Sequence, residues 1–326
     1  MAFKVFIDGE AGTTGLQIHA RLSGRRDLQL VSIDPARRKD AGARAELLND
    51  VDLAILCLPD EAAREAVALI ENPDVKVIDP STAHRVSPGW AFGFPEMEPG
   101  QRAAIEASKR VSNPGCYSTG AIALLRPLVR GGLLPADWPV TVNAVSGYSG
   151  GGRPMIAEFE DKTAADYTEV PYRLYATGLE HKHVPEMQAR IGLTRRPLFT
   201  PAVGRYARGM IVEVPLQLGA LPGRPTARDV QEALATAYAG ERFVEVASTG
   251  EAAAIKTLGP EGLNGTNRMR LYVFAAEAHG QARLVALLDN LGKGAAGAAV
   301  QNMNLMLGLP EDAGLWVTPG DPIQPG

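Results

Sequence analysis

The sequence predicts an α/β protein: a doubly wound parallel sheet, followed by an α+β region with a largely antiparallel sheet. Three observations carry this. Short β-rich runs alternate with helical stretches over the first third of the chain. Those runs are apolar without alternation, as expected of strands covered on both faces. From about Trp138 the strands lengthen and begin to alternate. A chain of 326 residues, at roughly 100–200 residues per domain, suggests two domains.

The elements follow in order. Phe3–Asp8 is apolar and ends at a glycine cluster, and residues 14–22 have helical spacing of apolar side chains. Residues 28–33, 51–58 and 75–78 are three further strands, with a helix over 61–70 before the last. β and α segments joined by short connections read as a parallel sheet. A turn at Asn113-Pro114-Gly115 precedes an apolar helix over 117–128. Beyond Trp138 come strands at 140–145, 209–218, 243–247 and 270–274, and a helix at 229–238. The last helix covers 295–307, and the Gly- and Pro-rich tail, 310–326, reads as irregular.

Composition narrows the function classes. Apolar residues make up 45% and charged residues 21%, which suits a soluble globular protein and is too apolar for a disordered one. The net charge of -4 argues against a general nucleic-acid binder. No apolar run approaches the ~18 residues of a membrane helix. The opening MAFKVFIDGE lacks the apolar core of a signal peptide. Two cysteines, Cys57 and Cys116, imply no disulfide framework, so reduced thiols in a cytoplasm are expected. A two-domain enzyme is the leading expectation.

The first strand runs into Gly9-Glu10-Ala11-Gly12-Thr13-Thr14-Gly15. Such a turn from strand to helix lets the backbone approach a pyrophosphate, and the helix N-terminus offers free N–H groups to it. Thr13 and Thr14 can add hydroxyl donors. The plain alternative is a tight strand–helix turn, but its place at the start of a βαβ pattern favours a Rossmann-like dinucleotide site. The second strand ends at Asp34, an acidic residue suited to ribose hydroxyls of NAD. Arg37, Arg38 and Lys39 follow; a basic triplet suits the 2′-phosphate of NADP. The balance leans to NADP. Cys57-Leu58-Pro59, at the third strand's end, is expected to line the adenosine pocket, and Ser81 lies in the loop after the fourth.

Cys116 opens the helix that follows Asn113-Pro114-Gly115. The helix partial charge there is expected to lower the thiol pKa, and nearby N–H groups with the Asn113 side chain to hold an oxyanion. An acyl-forming nucleophile needs both. Cys57, inside an apolar strand, reads as inert. The base is sought in Glu180-His181-Lys182-His183-Val184-Pro185-Glu186. On an extended strand His181 and His183 would face the same way. Either ring can move a proton, with Glu186 orienting one of them. Zinc is the competing use of this segment, but no third and fourth ligand is evident, so no metal is expected. Arg85, after the fourth strand, Ser149, Gly150 and Arg153 in a glycine-rich turn, and Arg205 and Arg208 are candidate substrate residues, the arginines as anion ligands.

With these segments assembled, the chain resembles the N-acetyl-γ-glutamyl-phosphate reductase family of arginine biosynthesis, in its shorter second type. The motifs are GEAGTTG (9–15), SNPGCYSTGA (112–121), SGYSGGGRP (146–154), HKHVPEM (181–187), RYARGM (205–210) and DNLGKGAAGAAVQNMNLMLG (289–308). The glycine loop is shared with aspartate-semialdehyde dehydrogenases; the cysteine and double-histidine segments are specific. The resemblance implies reductive dephosphorylation of N-acetyl-L-glutamyl 5-phosphate to the semialdehyde, dependent on NADP(H), through a Cys116 thioester. It implies that Asn290, Lys293 and Gly294 neighbour the nicotinamide. It also implies a dinucleotide-binding domain over 1–116, completed by 290–326, a catalytic and oligomerisation domain over 117–289, and a homo-oligomer, dimer or tetramer. Three rival readings stand beside it: the same chemistry on aspartyl phosphate, a dinucleotide sensor without catalysis, and a cysteine hydrolase.

Overall fold

The computed structural model describes residues 2–38 and 40–315; Lys39 of the basic triplet and the end of the expected tail lie outside them. The first part of the chain runs β1 (Phe3–Asp8), α1 (Thr13–Leu22), β2 (Leu28–Val31), α2 (Ala41–Asn49), β3 (Leu53–Leu56), α3 (Asp60–Ala68), β4 (Lys76–Asp79), β5 (Ala91–Phe92), α4 (Gln101–Ala107) and β6 (Arg110–Ser112). Its strands form one sheet in the order β2-β1-β3-β4-β6-β5, and every pairing in it is parallel. β1 lies between β2 and β3, so the strand order reverses at the end of β1, where ligands gather in such sheets.

The second part runs α5 (Cys116–Arg130), β7 (Thr141–Gly147), α6 (Gly152–Glu160), β8 (Tyr172–Leu174), α7 (Val184–Ile191), β9 (Leu198–Gly204), β10 (Met210–Gln217), α8 (Ala227–Ala237), β11 (Val244–Val246), α9 (Thr249–Ala254), β12 (Met269–Ala276) and β13 (Gln281–Leu288). Its sheet has the order β11-β12-β13-β10-β7-β9-β8. It is mixed: four of the six pairings are antiparallel, while β7 with β9 and β11 with β12 are parallel. A π-helical turn (Gly292–Ala296) then leads into α10 (Gly297–Leu307).

The missing alternation in the first sheet has a direct cause. One face packs Val5, Ile7 and Ile55 against Ile18 of α1 and Val300 and Met303 of α10. The other packs Phe6, Ala54 and Leu56 against Leu48 of α2 and Ala66 of α3. Each fully buried aliphatic side chain contributes about 1.5–3 kcal/mol, so a polar residue on either face is costly. α10 is buried along its whole length. Its polar residues reach partners outside the helix: Asn302 Nδ2 donates to the Gly93 carbonyl at 2.9 Å, and Asn304 Oδ1 accepts from Arg25 at 2.8 Å. α5 packs on the second sheet, where Gly120 lets Val212 of β10 come close; a Cβ there would stand 2.8 Å from Cγ2 of Val212.

Of the elements that were not expected, four show how the reasons differ. α2 buries only Ala43 and Leu48, so it shows no apolar stripe; its Asp40 cap accepts from the Ala43 N–H at 3.0 Å. α4 is seven residues long. β9 carries Pro201 at its centre, a residue that argues against an inner strand. β13, Gln-Ala-Arg-Leu-Val-Ala-Leu-Leu, is apolar in a way that suits helix or strand equally.

Candidate active site

Cys116 is the first residue of α5. The Asn113-Pro114-Gly115 turn brings it there directly from β6. Gly115 N–H donates to Glu186 Oε1 at 2.9 Å, Ser118 Oγ donates to Glu186 Oε2 at 2.8 Å, and Arg85 Nη1 donates to the same oxygen at 2.9 Å. Arg85 also donates Nε to the Asn113 carbonyl at 3.0 Å and Nη2 to the Pro80 carbonyl at 2.8 Å. Both charged residues are buried. A buried pair of this kind stands only when its remaining polar atoms are satisfied, as here; removing one partner costs about 3–5 kcal/mol.

This corrects two expectations. Glu186 does not orient a histidine; it clamps the start of the cysteine's helix and neutralises Arg85. Nor does the helix N-terminus set the thiol: burial pushes Cys116 up to about 11, with Glu186 adding to the rise, while Arg85, the Tyr117 N–H and Lys182 pull it down.

The histidines are not on a strand. His183 caps α7, which carries Pro185 in its first turn, and the chain turns at the pair. The rings still meet, with centroids 4.7 Å apart. His183 N–H donates to His181 Nδ1 at 3.1 Å, so neutral His181 carries its proton on Nε2. His183 is buried, and its Nδ1 is a buried atom without a hydrogen-bond partner. Its Nε2 lies against Gly115: a Cβ on that glycine would be 2.5 Å from it. Burial, then the charges of Lys182 and Arg85, takes His181 down to about 4. Burial also holds His183 well below its ordinary value. Both rings are therefore neutral at physiological pH.

Cys116, His181 and His183 line one cavity of about 350 Å³. Its aromatic wall is Tyr117 and Tyr175, whose hydroxyls are 2.9 Å apart. Ser149 and Gly150 line the side formed by the loop after β7, and Asn290 donates to Ser149 Oγ at 3.0 Å. Gly294 lines the wall beside the cysteine; a Cβ at Gly294 would be 2.8 Å from that of Cys116.

A second cavity, of about 410 Å³, lies along the glycine loop. Gly12, Thr13, Thr14, Gly15, Cys57, Leu58, Pro59 and Ser81 line it. Gly9 is left-handed, at φ +86°, and a Cβ there would stand 2.3 Å from the Cys57 carbonyl. That close approach brings the ends of β1 and β3 together under the groove. Thr13 Oγ1 is buried without a partner and its residue lines both cavities. An orphaned hydroxyl at a helix N-terminus, over a glycine floor, fits a pyrophosphate. The two cavities adjoin, sharing Thr13, Thr14, Pro80, Gly152 and Lys182.

Other expected site residues stand elsewhere or are already engaged. Asp34 is exposed and caps a short turn, accepting from the Ala36 N–H at 2.9 Å. Exposed Arg37 and Arg38 pair with Asp40 at 3.5 Å and Glu10 at 3.1 Å. Arg153 lines the glycine-loop groove rather than the cysteine cavity. Arg208 lines neither. Arg205 lies on the surface, donating to the Thr168 carbonyl. Asn113 has no free side chain for an oxyanion: Nδ2 donates to the Ala295 carbonyl at 3.0 Å and Oδ1 accepts from Asn302 at 3.0 Å. Lys293 turns into the core, where Nζ donates to Glu96 at 2.7 and 2.8 Å and to Gln301 at 2.6 Å. It anchors the π-helical turn whose backbone carries Gly294 to the cysteine. Tyr175 and Lys182 were not singled out from the sequence. A tyrosine beyond a three-residue strand carries no signal, and a lysine in a polar turn reads as a solvated charge.

Residues 116–290 match the family model for the semialdehyde dehydrogenase dimerisation domain, and 35–105 the semialdehyde dehydrogenase NAD binding domain. A curated N-acetyl-gamma-glutamyl-phosphate reductase of Brucella ovis is 56% identical over 306 residues, 94% of this chain and 99% of the relative. One from Trichormus variabilis is 52% identical over 318 residues, 96% of this chain and 99% of the relative. Among solved structures, aspartate semialdehyde dehydrogenase II of Vibrio cholerae, complexed with ASA, has a TM-score of 0.68 at 17% identity, covering 94% of this chain and 98% of that one. The Candida albicans enzyme with NADP has a TM-score of 0.62 at 14% identity, covering 94% and 99%. At such identities the likeness is one of fold.

Proposed function

The chain belongs to the semialdehyde dehydrogenase family, among the N-acetyl-gamma-glutamyl-phosphate reductases, and from that premise we propose how its residues reduce N-acetyl-L-glutamyl 5-phosphate to the 5-semialdehyde in arginine biosynthesis. One observation carries the reading: Cys116, His181 and His183 line a single cavity that opens onto the glycine-loop groove.

A neutral histidine of the pair takes the Cys116 proton as the sulfur attacks the acyl carbon. Thiolate and imidazolium form together, and their attraction in a desolvated cavity offsets the burial cost each would meet alone. The carbon–oxygen bond to phosphate breaks, phosphate leaves with the electron pair, and a thioester remains on Cys116. When bound, a reduced nicotinamide supplies the hydride that takes this acyl group to the aldehyde level. The carbon–sulfur bond then breaks, the sulfur takes the electron pair, and the aldehyde leaves. The histidine pair moves the protons in both halves. Free N–H groups at the start of α5 are the donors for the developing oxyanion, since Asn113 is engaged and Gly115 N–H serves Glu186.

The cofactor is a nicotinamide dinucleotide. Thr13, Thr14, the glycine loop, Cys57, Leu58, Pro59, Ser81 and Arg153 are its contacts, with Asn290 and Gly294 on the nicotinamide side. Asp34 serves the ribose. We take NADPH as the preferred form on the strength of the exposed arginines 37 and 38 after β2. The domains divide after residue 116 and before residue 290. Exposed Tyr172 and Leu174 on edge strand β8, with Leu198 on β9, support association of copies through the second sheet. A nucleophilic thiol needs a reducing compartment, which supports the cytoplasm.

The test is a direct assay of the purified chain with N-acetylglutamyl phosphate and, separately, aspartyl phosphate. Oxidation of NADPH with release of phosphate is expected with the first. Turnover of aspartyl phosphate alone would reject the substrate; turnover without nicotinamide would make the protein a hydrolase.

A further inference from the structure

We propose that Lys182 holds the phosphate group of the acyl-phosphate substrate and stabilises it as it leaves the acyl carbon that Cys116 has attacked. The assignment rests on the reaction above and adds a residue to it.

Lys182 lies in the turn between the two histidines and lines both cavities. It is exposed, whereas His183 behind it is buried. Among the described residues its ammonium makes no hydrogen bond and no ion pair at contact distance. Its charge nevertheless reaches the reacting groups: it favours the Cys116 thiolate and disfavours protonation of both histidines. The carboxylate it acts on is that of Asp60, which is itself held by the N–H and hydroxyl of Thr82.

The other cations near the cysteine are differently placed. Arg85 lines the cavity, but its fork is held by Glu186 and two carbonyls. Arg153 faces the groove alone. A phosphate gains negative charge as its bond to the acyl carbon breaks, and a cation already in place lowers that barrier. A lysine ammonium on a flexible stem, with three donors, can follow the group as it moves away.

The second source of phosphate is the dinucleotide in the adjoining groove, so the experiment separates the two. The reaction is run in reverse, with semialdehyde, NADP+ and inorganic phosphate, on wild type, Lys182→Met and Lys182→Arg. The KM for phosphate is expected to rise about tenfold or more in the methionine variant, with the KM for NADP+ within about twofold, and arginine to restore most of the loss. In a separate measurement without turnover, inorganic phosphate is expected to slow iodoacetamide alkylation of Cys116 in wild type and not in Lys182→Met. An unchanged phosphate KM, or a rise in the NADP+ KM in its place, overturns the assignment. A wild-type reverse reaction that needs no phosphate would instead overturn the proposed reaction.

Discussion

Cys57 and Cys116 stand in adjoining cavities, each beyond the end of a strand of the same parallel sheet. Burial pushes both thiols up, to about 12 and about 11. The surroundings then diverge. Around Cys57 the carboxylates of Asp79 and Asp8 add to the rise. Around Cys116, Arg85, a helix N–H and Lys182 oppose it, and two neutral imidazoles share its cavity. Depth does not separate an inert cysteine from a nucleophile here. Fixed positive charge, a base, and room for an acyl group do.

The largest test of that contrast is deletion of each sulfur. Cys116→Ala is expected to lower kcat by at least ~10³-fold while dinucleotide binding persists. Cys57→Ala should cost only a few-fold in kcat, with a raised KM for the cofactor whose groove it lines. Comparable losses in kcat would erase the distinction.

A second, smaller effect concerns charge at Cys116. Because burial places the thiol near 11, the thiol is neutral at physiological pH. Iodoacetamide alkylation of wild type should then climb about tenfold per pH unit from neutrality toward that value. Glu186→Gln removes the nearby negative charge and leaves Arg85, so alkylation at neutral pH should run several-fold faster than in wild type. The loosened helix start should slow turnover at the same time. A wild-type rate that levels off just above neutrality would mean that the helix N-terminus outweighs burial. The smallest effect lies at the far end of the groove. Arg37→Ala with Arg38→Ala should raise the KM for NADPH several-fold more than that for NADH. Equal changes would remove the 2′-phosphate clamp.

Much of this was legible in the chain. The unbroken apolar run at residues 53–58 marked a strand covered on both faces, and the glycine cluster marked the strand–helix turn that the structure shows at the end of β1. The cysteine's place at a helix start was plain from Asn-Pro-Gly before it. Less was legible where short-range pattern and packing disagree. The histidines were expected on a strand because they are two apart; Pro185 begins a helix instead, and the turn brings the rings together by another route. Glu186 looked like a histidine's partner because it lies nearby in sequence. Its oxygens go to Gly115, Ser118 and Arg85, groups 68 to 101 positions away. Lys293 was expected beside the nicotinamide from the resemblance alone, and its tip lies in the core against Glu96.

The chain alone determined which residues are chemically able to react and which strongly patterned segments form strands and helices, because residue type and periodicity are local properties. Only the tertiary structure decided which charges meet. Whether Glu186 steadies a ring or a helix, and whether Lys182 is engaged or open to an anion, depends on distances between segments far apart in sequence. At those distances Coulomb and desolvation energies in a poorly solvated interior outweigh local preference.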